Sequence, residues 1–251
     1  MRLRKSFSVF AGLAGFLVFA STAMAVPVLQ LDIGPERTYD TSTETIVSTS
    51  TQFTLYALLD PNWSNKITDT YFISAAVVPK VGPDDANLGT ISINGNTIQV
   101  TQDMVYGTPP IDTFVGGLPA EYQPKDKGDL PQHDIFKTFF SEFGFQFSQG
   151  STVPKYNTQT LATASGFLYS KAFDIDTSGL SPEYEIHFDL YNEWIYQYCN
   201  GTVKDIDITK FAPFSHDAQS GRTPVPEPGT MILLGSGLIG LAGWGRKKFR
   251  K

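Results

Sequence analysis

Oxygen-bearing side chains follow one another in one stretch at a spacing that could bind calcium. Asp174, Asp176 and Ser178 occupy the first, third and fifth positions of this stretch. Gly179 follows at the sixth position, and Glu185 stands at the twelfth. In a calcium loop these positions supply ligand oxygens, a turn glycine and a bidentate carboxylate. The spacing therefore predicts a calcium site formed by these residues.

Two features of the same stretch favour a polar connection between strands instead. The flanking residues are typical of strands rather than of the helices that enclose a calcium loop, and Pro182 lies inside the stretch. A hairpin connection without a metal is therefore the alternative. Asp205 and Asp207 form a lesser calcium candidate.

Catalytic patterns are not found in the sequence, and we expect no enzyme activity. The three histidines, His133, His187 and His216, are scattered. Two of them precede an aspartate, but adjacent residues of a strand point to opposite faces, so neither pair builds a dyad. We interpret each histidine as a surface or loop residue. A hydrolase with dispersed carboxylates remains open, because the fold sets their separation.

Three aromatic residues in predicted loops could stack against a carbohydrate. They are Trp63, Tyr122 and Tyr156. Their rings combine a flat apolar face with a polar edge, which suits sugar binding, although ordinary packing is the alternative for each.

The charge of the central part of the chain argues against nucleic-acid binding. Residues 26–224 contain 24 acidic and 11 basic residues, a net charge near −13. Cys199 is the single cysteine, so neither an intrachain disulfide nor a cysteine-based zinc site can form, and we expect its thiol to be buried.

The elements that must position these residues are predicted to be strands. Thr, Val, Ile, Phe and Tyr are frequent, and turn-forming residues interrupt them at short intervals. We predict an all-β fold, an antiparallel β-sandwich of jelly-roll type. The predicted strands are 28–33, 45–50, 52–59, 71–78, 90–93, 97–101, 166–175 and 184–198.

Three regions carry more specific expectations. Asn94 and Gly95 favour a tight hairpin between 90–93 and 97–101, because such a turn requires positive φ. Residues 106–131 are rich in proline and predict a long irregular loop. Residues 133–147 are rich in phenylalanine, and their spacing predicts a short helical turn that runs into a core strand.

The strand predicted at 184–198 alternates between two faces. The set that we expect in the core comprises Ile186, Phe188, Leu190, Trp194, Tyr196 and Tyr198, with Asn192 as its one polar break. The other set, which we expect to face solvent or a partner, comprises Glu185, His187, Asp189, Tyr191 and Glu193.

The two ends of the chain have the composition of targeting segments. Three cations precede an apolar run at 7–19, and Ala23 and Ala25 form an Ala-x-Ala cleavage site, so residues 1–25 predict a signal peptide. At the other end, residues 230–245 carry no charge and five cations follow them. This pattern predicts a single C-terminal transmembrane helix with its basic tail in the cytoplasm.

The C-terminal segment, 225–251, resembles the PEP-CTERM sorting signal of Gram-negative bacteria. Pro226, Glu227 and Pro228 carry the resemblance, together with the apolar run and the basic tail. The resemblance implies an exported protein that passes through an inner-membrane intermediate. It also implies an exosortase, a membrane cysteine transpeptidase, as the partner that processes the chain before display or release.

The body of the chain, 26–224, resembles the choice-of-anchor proteins of the N group in four segments. These are 29–33, 53–59, 188–192 and 211–217. The resemblance implies an extracellular domain joined to a sorting signal, and it carries no catalytic residues.

Three functional classes follow from these observations. The first is a non-enzymatic surface or matrix protein that acts through binding. The second is a carbohydrate-binding module associated with exopolysaccharide, with or without calcium. The third is the hydrolase with dispersed carboxylates.

Overall fold

The computed structural model describes residues 25–108, 137–199 and 202–221, and these residues form an all-β fold, as predicted. The strands are β1 (Leu29–Ile33), β2 (Arg37–Asp40), β3 (Thr45–Ser48), β4 (Gln52–Leu59), β5 (Tyr71–Val78), β6 (Gly89–Ile93), β7 (Asn96–Gln99), β8 (Val105–Gly107), β9 (Thr138–Phe145), β10 (Thr152–Tyr156), β11 (Thr163–Leu180), β12 (Glu185–Asn192), β13 (Tyr196–Cys199), β14 (Thr202–Ile206) and β15 (Ala218–Gln219). Two short 3-10 turns, Ile208–Lys210 and Phe214–His216, lie between β14 and β15.

The strands form two large sheets and one separate hairpin. The first sheet has the order β1-β4-β11-β6-β7, with β10 paired to the long strand β11. The second sheet has the order β2-β3-β15-β12-β5-β9-β8, and β13 pairs with β14 alone. The pairs are antiparallel, with the exception of β15, which runs parallel to β3 through the partners Ala218 and Ile46.

One hydrophobic core joins the inner faces of the two sheets. Aromatic rings meet across it: Phe53 contacts Phe188 at 6.2 Å between ring centroids, and Phe173 contacts Phe143 at 5.2 Å and Phe145 at 5.1 Å. Alternate residues of β4 and β5 also point into this core, because successive side chains of a strand face opposite sides.

Several local predictions are confirmed. β4 and β5 have the predicted bounds, and β6 and β7 form the predicted hairpin. Asn94 and Gly95 adopt φ values of 50° and 78°, as a tight hairpin turn requires.

The helical turn predicted within residues 133–147 is wrong for the part that the structure describes. Phe139, Phe140 and Phe143 all belong to the strand β9, whereas Phe136 lies outside the described residues. Both faces of this strand contribute buried rings, since Phe139 points into the core and Phe140 is buried on the opposite face. Because both faces of this strand are buried, phenylalanines occur on both of them, and their spacing resembles that of a helix.

The strand predicted at 184–198 ends earlier than expected. β12 stops at Asn192, whose side-chain oxygen accepts a hydrogen bond of 3.0 Å from the backbone N–H of Trp194 and so turns the chain. Trp194 is consequently 60 % exposed and is not part of the core. The inner face is confirmed for Ile186, Phe188 and Leu190, which are fully buried.

The opposite face of β12, which we predicted to face solvent or a partner, is partly covered by the chain itself. Tyr191 is fully buried there, and its ring stacks between Phe72 at 5.9 Å and Phe211 at 5.6 Å. The segment after β14 supplies Phe211, so a stretch of chain without long strands covers part of this outer face.

Several predicted features lie outside the described residues. These are the signal peptide up to Met24, most of the irregular loop at 106–131, Tyr122, His133 and the C-terminal sorting segment. Among the residues that the structure does describe, no helix has the length and apolar character needed to cross a membrane.

Candidate functional site

Two exposed tryptophans mark one end of the fold. Trp63 is 88 % exposed in the loop after β4, and Trp194 is 60 % exposed in the turn after β12. Both segments lie at the end where β5 begins, because Asn192 pairs with Tyr71. We call residues 62–69 and 193–195 the tryptophan loops.

Buried amide side chains hold the tryptophan loops together. The Nδ2 atom of Asn192 donates to Asn65 Oδ1 at 3.0 Å and to Asp69 Oδ2 at 2.9 Å. Asn65 Nδ2 donates to the carbonyl of Thr209 at 2.9 Å, and the Lys210 ammonium donates to the carbonyl of Ser64. Buried and fully bonded polar side chains fix local geometry. The two indole rings therefore project from a rigid frame.

A cleft of about 620 Å³ opens on the outer face of the first sheet. Asp32, Tyr56 and Leu58 enter it from β1 and β4, because they alternate with core residues along those strands. β2 supplies Arg37 and Tyr39, and Tyr156 closes the other side. Three tyrosine rings and one ion pair give this cleft an amphipathic lining.

The polar groups of the cleft are bonded to one another. Arg37 Nη1 lies 2.9 Å from Asp32 Oδ1 and donates to the carbonyl of Thr158 at 2.7 Å. The Tyr156 hydroxyl donates to Asp32 Oδ2. Gln159 Nε2 donates to the Tyr39 hydroxyl at 2.9 Å. The segment that follows β10 is thereby fastened over β1 and β2.

Burial governs the protonation of the cleft residues. Desolvation raises the pKa of Asp32, while the Tyr156 hydrogen bond and the Arg37 charge act in the opposite direction. Burial also raises the pKa of Tyr156, and the neighbouring Asp32 charge adds to this effect. Among the described lining residues Asp32 is the one carboxylate.

A third group of polar residues lies on the outer face of the second sheet. His187 Nε2 is 3.5 Å from Asp189 Oδ1 and 3.8 Å from Asp217 Oδ2. His187 and Asp189 are neighbours on one face of β12, and Asp217 precedes the paired strand β15. Burial lowers the pKa of His187, but the two carboxylates outweigh burial and raise it well above the usual range. Burial raises the pKa of Asp217.

Sequence reasoning missed this His–Asp–Asp cluster. The interpretation of the histidines as surface or loop residues is wrong for His187, which is mostly buried on a strand. His216 lies in a connection between strands, as that interpretation allows, although its side chain is buried. The i, i+2 spacing of His187 and Asp189 signals a shared strand face. Asp217 could not be assigned to it, because only the pairing of β12 with β15 brings this residue near.

The predicted calcium residues are only partly brought together. Asp174, Asp176 and Ser178 lie on β11, and both aspartates line a shallow groove of about 400 Å³ on the outer face of the first sheet. Asp176 accepts hydrogen bonds from Gln52 Nε2 and from the Ser178 N–H, and the Ser178 bonds lower its pKa. Glu185 begins β12 in the second sheet and does not join them.

The remaining predicted residues have separate places. Trp63 is exposed as predicted, whereas Tyr156 is half-buried in the cleft and Tyr122 lies outside the described residues. Asp207 Oδ1 accepts hydrogen bonds from Thr209 and so caps a turn. The side chains of Asp205 and Cys199 lie outside the described part.

Residues 224–247 match the PEP-CTERM protein-sorting motif. The match contains Pro226, Glu227 and Pro228, on which the sequence resemblance rests. The motif implies export to the surface by way of a membrane intermediate, with exosortase as the processing partner. No curated protein and no solved structure is similar enough to the chain to count as a match.

Proposed function

We propose that this chain is an exported, non-enzymatic surface protein that acts through binding. Residues 26–224 would form its exported body, and 225–251 its sorting signal with a transmembrane helix. The match at 224–247 is the observation that carries the route. Two sheets around one core support a jelly-roll-like sandwich as the architecture of the body. The exposed tryptophans on a hydrogen-bonded frame support action through binding.

Processing at the motif tests the proposed route. We expect the intact mass of the exported protein to show loss of both ends in a host that contains exosortase. Pro228→Ala should leave the C-terminal segment attached, because it removes a residue of the motif. Thr223→Ala, just before the matched residues, should be trimmed like the natural chain. Equal trimming of both variants, or no trimming of the natural chain, would refute the route.

We propose carbohydrate binding, with exopolysaccharide as the ligand class, as the second candidate function. The tryptophan loops are the observation that favours it. Large aromatic side chains are usually withdrawn from water, and Trp63 and Trp194 are exposed on a frame that is itself rigid. A rigid exposed indole loses little conformational entropy when it stacks on a ligand. Sugar rings present the apolar C–H faces that such a surface fits.

A glycan array and titration with the isolated exopolysaccharide test this candidate. Loss of one ring should weaken binding roughly twofold to tenfold, since an aromatic contact contributes about 0.5–1.5 kcal/mol. Trp63→Ala and Trp194→Ala are the test variants. Val105→Ala is the control, because Val105 is 55 % exposed on β8 and pairs with Phe140, which pairs with Ala76 toward the opposite end of β5. Carbohydrate binding is refuted if no glycan binds or if the control weakens binding equally.

Calcium dependence belongs to the same proposal. Asp174 and Asp176 share a groove on β11, and two carboxylates with nearby hydroxyl oxygens are ligands that calcium accepts. Isothermal titration with CaCl₂ should give heat for the natural chain and less for Asp174→Ala. No heat in either chain would end the calcium proposal without touching carbohydrate binding.

A further inference from the structure

We propose that His187, Asp189 and Asp217 bind one divalent transition-metal ion of the zinc class. The three side chains offer one imidazole nitrogen and two carboxylate oxygens, and these atoms all lie within 4.8 Å of one another. A neutral imidazole and two carboxylates together match the charge of a divalent ion. Zinc sites with three protein ligands and one water use this mixture of nitrogen and oxygen.

The distances from the imidazole nitrogen to the two aspartates are close to those between neighbouring ligands of a metal tetrahedron. Metal–ligand bonds of about 2.1 Å place two ligands of a tetrahedron roughly 3.4 Å apart. His187 Nε2 is 3.5 Å from Asp189 Oδ1 and 3.8 Å from Asp217 Oδ2. The imidazole nitrogen therefore lies from both carboxylates at about the separation that a shared ion requires, and the two carboxylate oxygens lie within 4.8 Å of each other.

Neighbouring hydrogen bonds orient the imidazole toward the two aspartates. Gln219 Nε2 donates to Glu185 Oε2 at 2.8 Å, which turns Gln219 Oε1 toward His187 Nδ1 at 3.3 Å. The Nδ1 atom then carries the hydrogen and donates it, so that Nε2 can present its lone pair to an ion. Binding at Nε2 displaces any proton held there.

The aspartates are held in the same way. Ser74 Oγ donates to Asp189 Oδ2 at 2.8 Å, and this bond leaves Oδ1 as the atom nearest His187. The backbone of Asp217 is fixed on both sides. Its carbonyl accepts a hydrogen bond from the Ile46 N–H at 3.0 Å, and its own N–H donates to the Phe214 carbonyl at 3.3 Å. Oriented ligands on paired strands are the usual support of a metal site.

The site would fasten the end of the exported body. β15 has only two residues, and Asp217 immediately precedes it. An ion shared with β12 would tie this short strand to the sheet just before the chain continues into the sorting segment. We therefore expect the metal to stabilise the C-terminal part of the fold.

Metal content and geometry test the proposal. The full chain, purified in detergent without a histidine tag and stripped with EDTA, is dialysed against zinc, and the bound metal is measured by mass spectrometry. We expect one zinc per chain and an increase in Tm on zinc addition. Cobalt in place of zinc should give the strong visible absorption of a tetrahedral site. No bound zinc, or the weak spectrum of an octahedral cobalt ion, would overturn the proposal.

Variants locate the ion. Asp189→Asn should abolish zinc binding, and Gln219→Ala should weaken it about tenfold to a hundredfold, as loss of a bond to a liganding histidine does. Asp84→Asn is the matched control and should retain one zinc, because Asp84 is exposed in the connection between β5 and β6 and is not one of the three clustered side chains. The assignment fails if Asp189→Asn binds zinc as the natural chain does, or if a large excess of calcium displaces the zinc. The spectrum of the natural chain decides the question even if a variant does not fold.

Discussion

Replacement of Arg37 by methionine should destabilise the protein strongly at neutral pH. The Arg37 and Asp32 side chains are only 13 % and 8 % exposed, so both charges are largely removed from water. Methionine keeps part of the apolar stem and removes the guanidinium, which leaves the Asp32 carboxylate buried without its cation. Loss of one partner of a buried ion pair costs about 3–5 kcal/mol.

We expect the loss in the free energy of unfolding of Arg37→Met to lie near the lower end of that range. The Tyr156 hydroxyl and the Ile33 N–H still donate to Asp32 after the change, and these bonds keep part of its charge satisfied. We therefore expect a decrease of about 3 kcal/mol in the free energy of unfolding. Asp32→Asn in the same variant removes the stranded charge, so the double variant should be more stable than Arg37→Met alone.

The pH dependence follows from the direction of the Asp32 pKa. Burial already raises this pKa, and Arg37 lowers it, so removal of Arg37 raises it further. The loss of stability in Arg37→Met has its full size above the Asp32 pKa of the variant, because there the carboxylate is charged in both folded proteins. It disappears below the Asp32 pKa of the natural chain, where both are neutral. The difference between the two proteins should therefore shrink as the pH falls.

Urea denaturation across a series of pH values measures this difference. Lys155→Met is the matched control, because the Lys155–Asp60 pair is more exposed and an ion pair of that kind contributes about 0–1 kcal/mol. A loss below about 1 kcal/mol for Arg37→Met, or a loss that stays constant on acidification, would refute the reasoning.

Three further substitutions have expected effects on stability. Gly89→Ala should lower the stability measured in a thermal melt by about 2–4 kcal/mol. A Cβ at this position would stand 2.1 Å from the Gly179 carbonyl oxygen, and the backbone has a φ of +104°. Gly150→Ala is the control and should change stability little, because its Cβ would meet open space. Phe173→Ala should lower the free energy of unfolding by about 3–5 kcal/mol in urea, because its ring is a buried centre of the aromatic core. Trp63→Ala should leave stability within about 0.5 kcal/mol, and a larger loss would show that this ring packs against the fold.

Hydrophobic pattern predicted the inner faces of the strands well. The continuous apolar run of β5 gave its bounds because both of its faces are buried, and alternation along β12 identified Ile186, Phe188 and Leu190. The pattern failed at Asn192. This residue has the position of a core side chain, but its amide bonds two loops and turns the chain, a role that depends on residues distant in the sequence.

Spacing along the sequence could not reveal which residues share a site. The calcium pattern treats 174–185 as one loop, yet β11 carries Asp174 on the first sheet and the chain then crosses to Glu185 on the second. The His–Asp–Asp cluster, in contrast, brings together residues that are distant in the sequence. Its third member lies far along the chain from His187 and becomes a neighbour only through the pairing of β12 with β15.

The geometry of β12 relates the proposed binding surface to the sorting route. The chain leaves the described fold beside the first half of this strand, where Ser220 N–H donates to the carbonyl of Ile186 at 2.9 Å. The tryptophan loops follow the other end of β12, after Asn192, roughly 20 Å away at the usual rise per residue. If the C-terminal segment spans the membrane as proposed, the exit end of the body would be the end tethered to it. The tryptophans would then lie at the opposite end, so the proposed binding through them would not require prior release by exosortase.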